Sequence, residues 1–579
     1  MFENCVIFKN NSSSWILFNK PVEIIKADNY KNIKKALSYI EDMTLKGFYA
    51  AGFVSYEASG AFDPNYLVKK NNLSNNLWFG IYKKKEIIPH HILFDNPGKA
   101  QYIFDWELPF NYNEYKNKID FIKEKIFKGD IYQLNYTFNM ESDFKDDPFS
   151  VFLNNFSHLD SKYSAFIDTP DFSVLSGSPE LFFKLHKNKL ISKPMKGTIH
   201  RGRNNNEDIL NKEKLYNSEK DRAENVMITD MIRNDMGKIA QISSVNTKKL
   251  FEVEKYSRVF QMTSTVTCTT DKSVCEIFEA MFPCASITGA PKIKSMEYIK
   301  QAEKSPRGVY TGAIGFLEPE RKALFNVAIR TMYINKESKK GYYGTGGGIV
   351  WDSFAENEYK ECQSKSLIIS EPEPEFKLLE TLLYAPGDGF YLEKYHINRI
   401  LDSAYYFSFD LKKSELLQFF NSFTSEELLR VRLLSDRFGN IEYEENLLEK
   451  NPLESKTSWK ICLADEHVDS SNRFLYHKTT NRSTYNNLLK KYPGFNDIVL
   501  FNENNLVTET CFANIVIEEN KKLYTPFVKA GLLCGTMRCY LLEKKIISEK
   551  NIFKKDLINA DKIYLINSVR GFINADMFF

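Results

Sequence analysis

At 579 residues the chain is too long for a single hydrophobic core and is expected to hold at least two domains. Its 43% hydrophobic and 26% charged residues are those of an ordinary globular protein. A formal net charge of +3, with Lys and Arg interspersed among Asp and Glu, leaves no basic footprint for nucleic acid.

The start, MFENCVIFKNNSSSW, has no basic cluster followed by a long apolar run, so no signal peptide is expected. No run of 18 or more apolar residues suggests a membrane span. The nine cysteines form no CxxC pair, which fits reduced thiols and a cytoplasmic location. The eight histidines form no HxxxH or HExxH pattern, so a zinc site is not expected.

In the first half, KYSAFIDT, DFSVLSGS, ELFFKL and KLISKPM read as short strands joined by turns. Lys196 then falls between a strand ending at a proline and a Gly-Thr turn. SEKDRAENVMITDMIRNDMGKIA reads as a helix opening at Ser218. KALFNVAIRTMYIN and KGYYGTGGGIVWDS read as two late strands, and Ala355 to Ile369 as a helix. This pattern is α+β with much antiparallel sheet. Prolines two residues apart in SEPEPEF cannot continue a helix, so the seam is set there: residues 1–370, a linker at 371–376, and 377–579. NDIVLFNENNLVTETCFANIVIEENKKLYTP reads as several strands with Asn-rich turns, making the second half α+β too.

Taken alone, Lys196 is an ordinary surface charge; it becomes a nucleophile only if burial or neighbouring charge lowers its pKa. Glu180 lies sixteen residues earlier, at a strand end. Glu358, Glu361 and Lys365 are spaced i, i+3, i+7 and share one helix face, directly after Gly346, Gly347 and Gly348. Three glycines in a strand suit a place where another group approaches the backbone, whose N–H groups can cradle a carboxylate. Carboxylates from two helices suit Mg²⁺, which shares its oxygen ligands with a substrate.

GDIYQLN, SGSPELF, PMKGT, DRAENVMITDMIRND, SITGAPK, YTGAIGF, FNVAIRT, GTGGGIV and ENEYKE together resemble the chorismate-utilising enzymes, which include anthranilate, aminodeoxychorismate, isochorismate and salicylate synthases. The resemblance implies an anthranilate synthase component I-like α/β sandwich with large antiparallel sheets, its catalytic core at about 115–370. It implies Mg²⁺ on Glu224 and Glu361, with Glu358 close by through water. Chorismate's carboxylates would be held by Tyr310, Arg330, Lys365 and the backbone at Gly346, Gly347 and Gly348, with Thr288 lining the pocket and Glu180 as acid/base. Gln133 stands where isochorismate and salicylate synthases carry a water-activating lysine, and glutamine cannot serve as that base. Lys196 stands where anthranilate synthases usually carry alanine and where the aminodeoxychorismate branch carries lysine, implying a covalent Lys196 adduct. The chain has no glutaminase nucleophile motif, so ammonia is expected from a separate glutaminase partner.

In the second half, FLYHKTTNR, LEKYHINRILDSAYYF, LVTETCFANIVI, AGLLCGTMR and LINSVRG resemble the fold-type IV pyridoxal-phosphate enzymes, and within them 4-amino-4-deoxychorismate lyase. The resemblance implies Lys478 as the Schiff-base lysine and Glu509 beside the pyridine nitrogen. It implies Arg399, Thr536, Met537 and Ser568 around the phosphate, Thr381 touching substrate, and a homodimer through this half. Two other readings stay open: an anthranilate synthase fused to a branched-chain or D-amino-acid aminotransferase, and a second half that is a non-catalytic interaction module.

Overall fold

The computed structural model describes residues 4–93, 102, 104–156, 159, 161–370, 374–454 and 457–578, excepting the side chains of residues 364 and 366–370. Residues 371–373 of the expected linker therefore lie outside the described residues. The chain divides into two compact units, Met1–His200 with Lys212–Glu373, and Arg201–Asn211 with Pro374–Phe579.

In the first unit, a nine-stranded and a ten-stranded sheet are antiparallel throughout. Strands Cys5–Lys9 and Ser14–Phe18 show why. Val6, Phe8, Ile16 and Phe18 join Phe53, Trp78, Ile314 and Phe316 of the other sheet in one core. Cys5, Ile7, Trp15 and Leu17 face the opposite way, into a core shared with helices Tyr112–Phe127 and Lys292–Ala302. Both faces of these strands are covered, so CVIF and WILF read as unbroken apolar runs rather than alternation. Helices Tyr30–Leu45, Glu219–Gly237 and Val274–Met281 cover the outer face of the second sheet. The result is helix, sheet, sheet, helix, with the sheet-on-sheet core in the middle.

The helix expected at Ser218 starts there: Ser218 is its N-cap and accepts from the Asp221 amide. The late helix spans Ala355–Ser370. Two strand expectations need correction. KALFNVAIRTMYIN is not one strand; Lys322–Val327 belongs to the ten-stranded sheet and Thr331–Asn335 to the nine-stranded one. The crossing turns at Arg330, whose φ of 51° lies in the left-handed region. Lys196 does not sit between a strand and a Gly-Thr turn; it, Gly197 and Thr198 all belong to strand Met195–His200, paired with Val259–Thr269. Met195 pairs with Thr263 and Thr198 with Gln261, so three steps on one strand oppose two on the other. The extra residue is a bulge at Lys196–Gly197, where Gly197 takes φ +98°. A bulge re-aims a side chain, here that of Lys196.

The second unit has a four-stranded antiparallel sheet and an eight-stranded mixed one. Helix Glu393–Phe407 buries Ile397, Ile400 and Ala404, one helical stripe, against Leu378, Leu382 and Val431 of the smaller sheet. It stops at Ser408, which turns left-handed with φ 59°. The seam inferred from the prolines misses one excursion, because Arg201–Asn211 clusters with this unit. Arg201 stacks on the Tyr406 ring and donates to its carbonyl, Tyr406 donates to Gly202 O, and Asn205 donates to Asp402.

Candidate active sites

The first unit gathers its chemistry on the glycine strand, Lys340–Ile349. That strand pairs along its whole length with Gln133–Asp143, but its pairing with Thr331–Asn335 ends at Tyr343. From Gly344 onward one edge of the strand has no ladder partner among the described residues, so its N–H and C=O groups are available. A Cβ added at Gly348 would lie 2.6 Å from Lys196 Nζ and 2.8 Å from Gln133 Nε2. One added at Gly347 would lie 3.2 Å from Glu358 Oε2 and 3.9 Å from Lys365 Nζ. Lysine amine, glutamine amide and carboxylate thus converge on backbone that only glycine leaves open.

Lys196 Nζ lies 3.2 Å from Glu224 Oε2. Asn225, the next residue along that helix, donates to the Lys196 carbonyl at 3.1 Å and pins the bulge. Glu361 pairs with Lys365 at 2.8 Å, and Lys365 also donates to Gly346 O at 2.7 Å. The Lys365 charge holds Glu361 below the usual carboxylate range, whereas burial pushes Glu358 up. Burial opposes the Lys365 charge too, but Glu361, Cys362 and Glu358 outweigh it and hold its pKa above the ordinary value.

Glu180 is 3% exposed, and its Oε1 has no partner. Burial pushes its carboxyl up to about 7, against the pull of Ser286, the Met195 amide and the Lys196 charge. Both amide atoms of Gln133 are buried without partners. Such groups are costly unless a ligand satisfies them, and they cluster where one binds. Arg330 adds a half-buried side chain with no carboxylate at ion-pair distance among the described residues; desolvation lowers its pKa. Tyr310 packs flat on Gly344, where an added Cβ would meet its ring at 2.0 Å. Thr288, expected to line the pocket, donates its hydroxyl to the carbonyls of Cys284 and Ala285.

Among the described residues no three Asp, Glu, His or Cys side chains gather closely enough to hold a metal ion. Glu224, Glu358 and Glu361 are therefore not a closed cage. Their donor atoms are all oxygens, the chemistry that suits an ion such as Mg²⁺, which keeps waters and takes substrate oxygens.

A support that the sequence did not reveal lies beneath. Glu303 and Arg307 form an ion pair 5% and 2% exposed, at 2.7 Å. Glu303 accepts from the Thr137 amide and hydroxyl, and Arg307 donates to the carbonyls of Asn135 and Ile287. The pair thereby locks the strand that starts at Gln133.

In the second unit, Lys478 follows the short turn Arg473–Leu475, and its carbonyl accepts from the Leu379 amide at 3.0 Å. Burial, then the charges of Arg399 and Arg482, lowers its amine to about 7. Glu509 is 4% exposed, and burial raises its carboxyl to about 8. The Tyr485 hydroxyl donates to Glu509 Oε1 at 2.8 Å, and Asn514 Nδ2 to Oε2 at 3.2 Å. Asn514 also holds Leu533 O, and it sits where a Cβ on Gly535 would come within 1.9 Å. Gly535 caps helix Thr536–Glu543, whose first residues Thr536 and Met537 are buried. The Ser568 side chain is buried.

Arg399, expected to face a phosphate, gives its Nε and one terminal nitrogen to Glu380. Glu380 also bonds His396 Nδ1 at 2.6 Å, and His396 Nε2 reaches Thr536 Oγ1 at 3.4 Å. Burial opposes the Glu380 charge, yet Arg399 and His396 hold its carboxyl down to about 2. Only part of the Arg399 fork therefore remains for an anion. Thr381 is the next residue on strand Leu378–Ala385 and points to the opposite sheet face from Glu380. Glu380, His396, Tyr485 and Asn225 were not singled out from the sequence; Glu380, His396 and Asn225 lie beside a residue or in a segment that was, and Tyr485 lies three residues beyond one.

A family profile described as chorismate binding enzyme matches residues 3–370. The chain belongs to that family. A second profile, amino-transferase class IV, matches residues 377–576. Aminodeoxychorismate synthase component 1 of Bacillus subtilis is 35% identical over 260 residues, 45% of this chain and 55% of that protein. The probable chloroplastic aminodeoxychorismate synthase of Oryza sativa is 37% identical over 44% of this chain and 29% of that protein. Anthranilate synthase alpha subunit 2 of the same plant is 32% identical over 45% of this chain and 46% of its own. The chain thus spans about half the length, or less, of these curated relatives. Anthranilate synthase component I from Streptococcus pneumoniae shares the fold, with a TM-score of 0.55 at 23% identity over 62% of this chain and 92% of that one. The expected fold holds in both halves: a chorismate-binding unit of mixed helix and sheet, then a class IV aminotransferase unit. The class IV fold implies pyridoxal phosphate, and Lys478, with its lowered amine, and the buried Glu509, with its raised carboxyl, fit it. No helix among the described residues is long and apolar enough to cross a membrane.

Proposed function

We propose that the chain makes 4-aminobenzoate from chorismate in two steps, one per unit: amination to 4-amino-4-deoxychorismate, then elimination of pyruvate. The observation that carries the first step is the meeting of Lys196 and Gln133 at Gly348. Lys196 Nζ adds to ring carbon 2 of chorismate, both conjugated ring double bonds shift by one carbon, and the 4-hydroxyl leaves as water with a proton from Glu180. Ammonia then adds at carbon 4, both double bonds shift back, and the lysine amine departs. A carboxyl pushed up to about 7 is suited to giving and retaking that proton near neutral pH. Gln133 orients without activating water, which leaves the lysine route open. Arg330 and the open glycine edge hold the substrate carboxylates, and Tyr310, Lys365 and Thr288 complete that wall. Glu224 and Glu361, with Glu358 nearby, would hold Mg²⁺, which supplies a Lewis acid for the departing hydroxyl. Ammonia comes from a glutaminase partner.

In the second step Lys478, its amine lowered to about 7, would hold the cofactor and would move the proton from the amine-bearing carbon of the substrate. Pyridoxal phosphate supplies the electron sink for that chemistry when bound. Glu509, oriented by Tyr485 and Asn514, would pair with its ring nitrogen. The amides of Thr536 and Met537, the remaining Arg399 donors and the Ser568 hydroxyl would take the phosphate. Thr381 faces the substrate, and two copies pair through this unit. The presence of both units in one chain supports the lyase reading over an aminotransferase, because the lyase consumes the product of the synthase.

Product identification by mass spectrometry tests both steps. Chorismate, an ammonium salt and Mg²⁺ should give 4-amino-4-deoxychorismate, and 4-aminobenzoate once pyridoxal phosphate is added. Lys196→Ala should lose both products by about 10²-fold or more. Anthranilate as the main product, or full activity in Lys196→Ala, would sink the reading.

A further inference from the structure

Two thiols at the start of helix Thr536–Glu543 carry an inference that rests on the cofactor reading above. Seven of the nine cysteines are buried; Cys534 and Cys539 are partly exposed. Cys534 immediately precedes the cap Gly535, and the Cys539 amide donates to Gly535 O at 2.9 Å, closing the first helical turn. Their sulfurs lie 3.0 Å apart. A disulfide needs about 2.05 Å, so the sulfurs must close by about 1 Å. The electrostatics of Cys534 differ from those of the other shifted cysteines, Cys539 included. Burial pushes Cys5 and Cys284 up to about 12 and Cys268, Cys275 and Cys362 up to about 11. The Cys539 thiol, against burial and with help from Arg538 and Arg399, instead holds Cys534 well below the ordinary thiol value. The thiolate is the form that attacks an oxidant.

We propose that Cys534 and Cys539 are a reversible disulfide site that loosens the phosphate cup when it closes. With hydrogen peroxide as oxidant, the Cys534 thiolate attacks one peroxide oxygen, the O–O bond breaks, and hydroxide leaves. The Cys539 thiol then displaces the second hydroxide from the Cys534 sulfur. Two thiols lose two electrons and two protons, and the peroxide becomes two waters. The closed ring contains Gly535, Thr536, Met537 and Arg538. Pulling Cys539 toward Cys534 therefore displaces the amides that receive the phosphate. Because Arg399 and Arg538 bear on both thiols, a bound phosphate competes with the thiolate for the same positive field. Cofactor-loaded protein should therefore oxidise more slowly than stripped protein.

The test treats loaded and stripped full-length protein with hydrogen peroxide, maps peptides by mass spectrometry, and titrates pyridoxal phosphate by absorbance. A peptide pair joined at Cys534 and Cys539 and two hydrogens lighter is expected. Cofactor affinity should fall by about tenfold, the loss of one charge-assisted hydrogen bond, and recover with dithiothreitol. Cys539→Ser should keep its affinity under peroxide. Absence of that disulfide overturns the proposal, as does a cross-linked protein that binds the cofactor with undiminished affinity. Failure of the reduced protein to bind the cofactor removes the cofactor reading itself, and this proposal with it.

Discussion

Gly348→Ala separates the site from the fold. Gly348 has no positive φ, so alanine adopts its backbone without strain and trims the freedom of the unfolded chain. Stability should hold or rise by about 0.5 kcal/mol. The new methyl would meet Lys196 Nζ at 2.6 Å and Gln133 Nε2 at 2.8 Å. An ordinary contact needs about 3.5 Å, so the amine must retreat by about 1 Å. The end of a lysine side chain does so at little cost to folding. A reacting group misplaced by that distance costs about 10²-fold in rate, or about 2.7 kcal/mol of barrier. Gly347→Ala, at 3.2 Å from Glu358, should lose less. The assay is initial rate from chorismate and ammonium, beside thermal unfolding of the same preparations. A Gly348→Ala protein with parental stability and a rate within twofold of the parent would refute the argument that Lys196 works against this strand. Equal losses of rate and stability would refute the claim that the strand is cleared for a ligand rather than for packing.

Glu180 ties stability to pH. Burial raises its carboxyl from 4.5 to about 7, so the folded state keeps a proton that the unfolded state releases between those values. Stability contributed by this group is therefore lost as pH rises from about 4.5 to about 7, by about 3 kcal/mol in all. Glu180→Gln should flatten that slope in denaturant titrations across this range, and an unchanged slope would exclude the raised carboxyl. Glu303→Gln leaves the Arg307 guanidinium, 2% exposed, without its counter-charge. The first unit should lose about 3–5 kcal/mol in chemical denaturation, with part recovered in Glu303→Gln/Arg307→Met; a loss below about 1 kcal/mol would contradict the account of the pair.

What the sequence made legible was local. The Ser218 cap, the carboxylate helix and the proline seam each depend on residues within a few positions of one another, and the structure places the two helices there. The glycine run announced a close approach, although not what approaches. Long-range contacts were hidden. Glu303 bonds Thr137 across 166 residues of chain. Arg201–Asn211 joins the second unit through Asp402, Tyr406 and His477, about 200 positions or more away, which no periodicity records. The turn at Arg330 escaped because FNVAIRTMYIN carries no Gly or Pro to mark a change of sheet. The bulge at Lys196 escaped because Gly-Thr after a lysine reads equally well as a turn. Glu380 was passed over in favour of Thr381, because a strand letter by itself does not say which face a helix covers.

The bare edge of the glycine strand also bears on how such a site can diverge. A wall built from peptide groups offers no side chain to exchange, and an addition at Gly347 or Gly348 intrudes on Glu358, Lys196 or Gln133. On the reading proposed above, substrate anchoring is thereby frozen, while the facing wall stays open to change one residue at a time. New chemistry on the same bound acid would be written at positions 133, 180 and 196, with the glycines acting as the fixed ruler against which each replacement is measured.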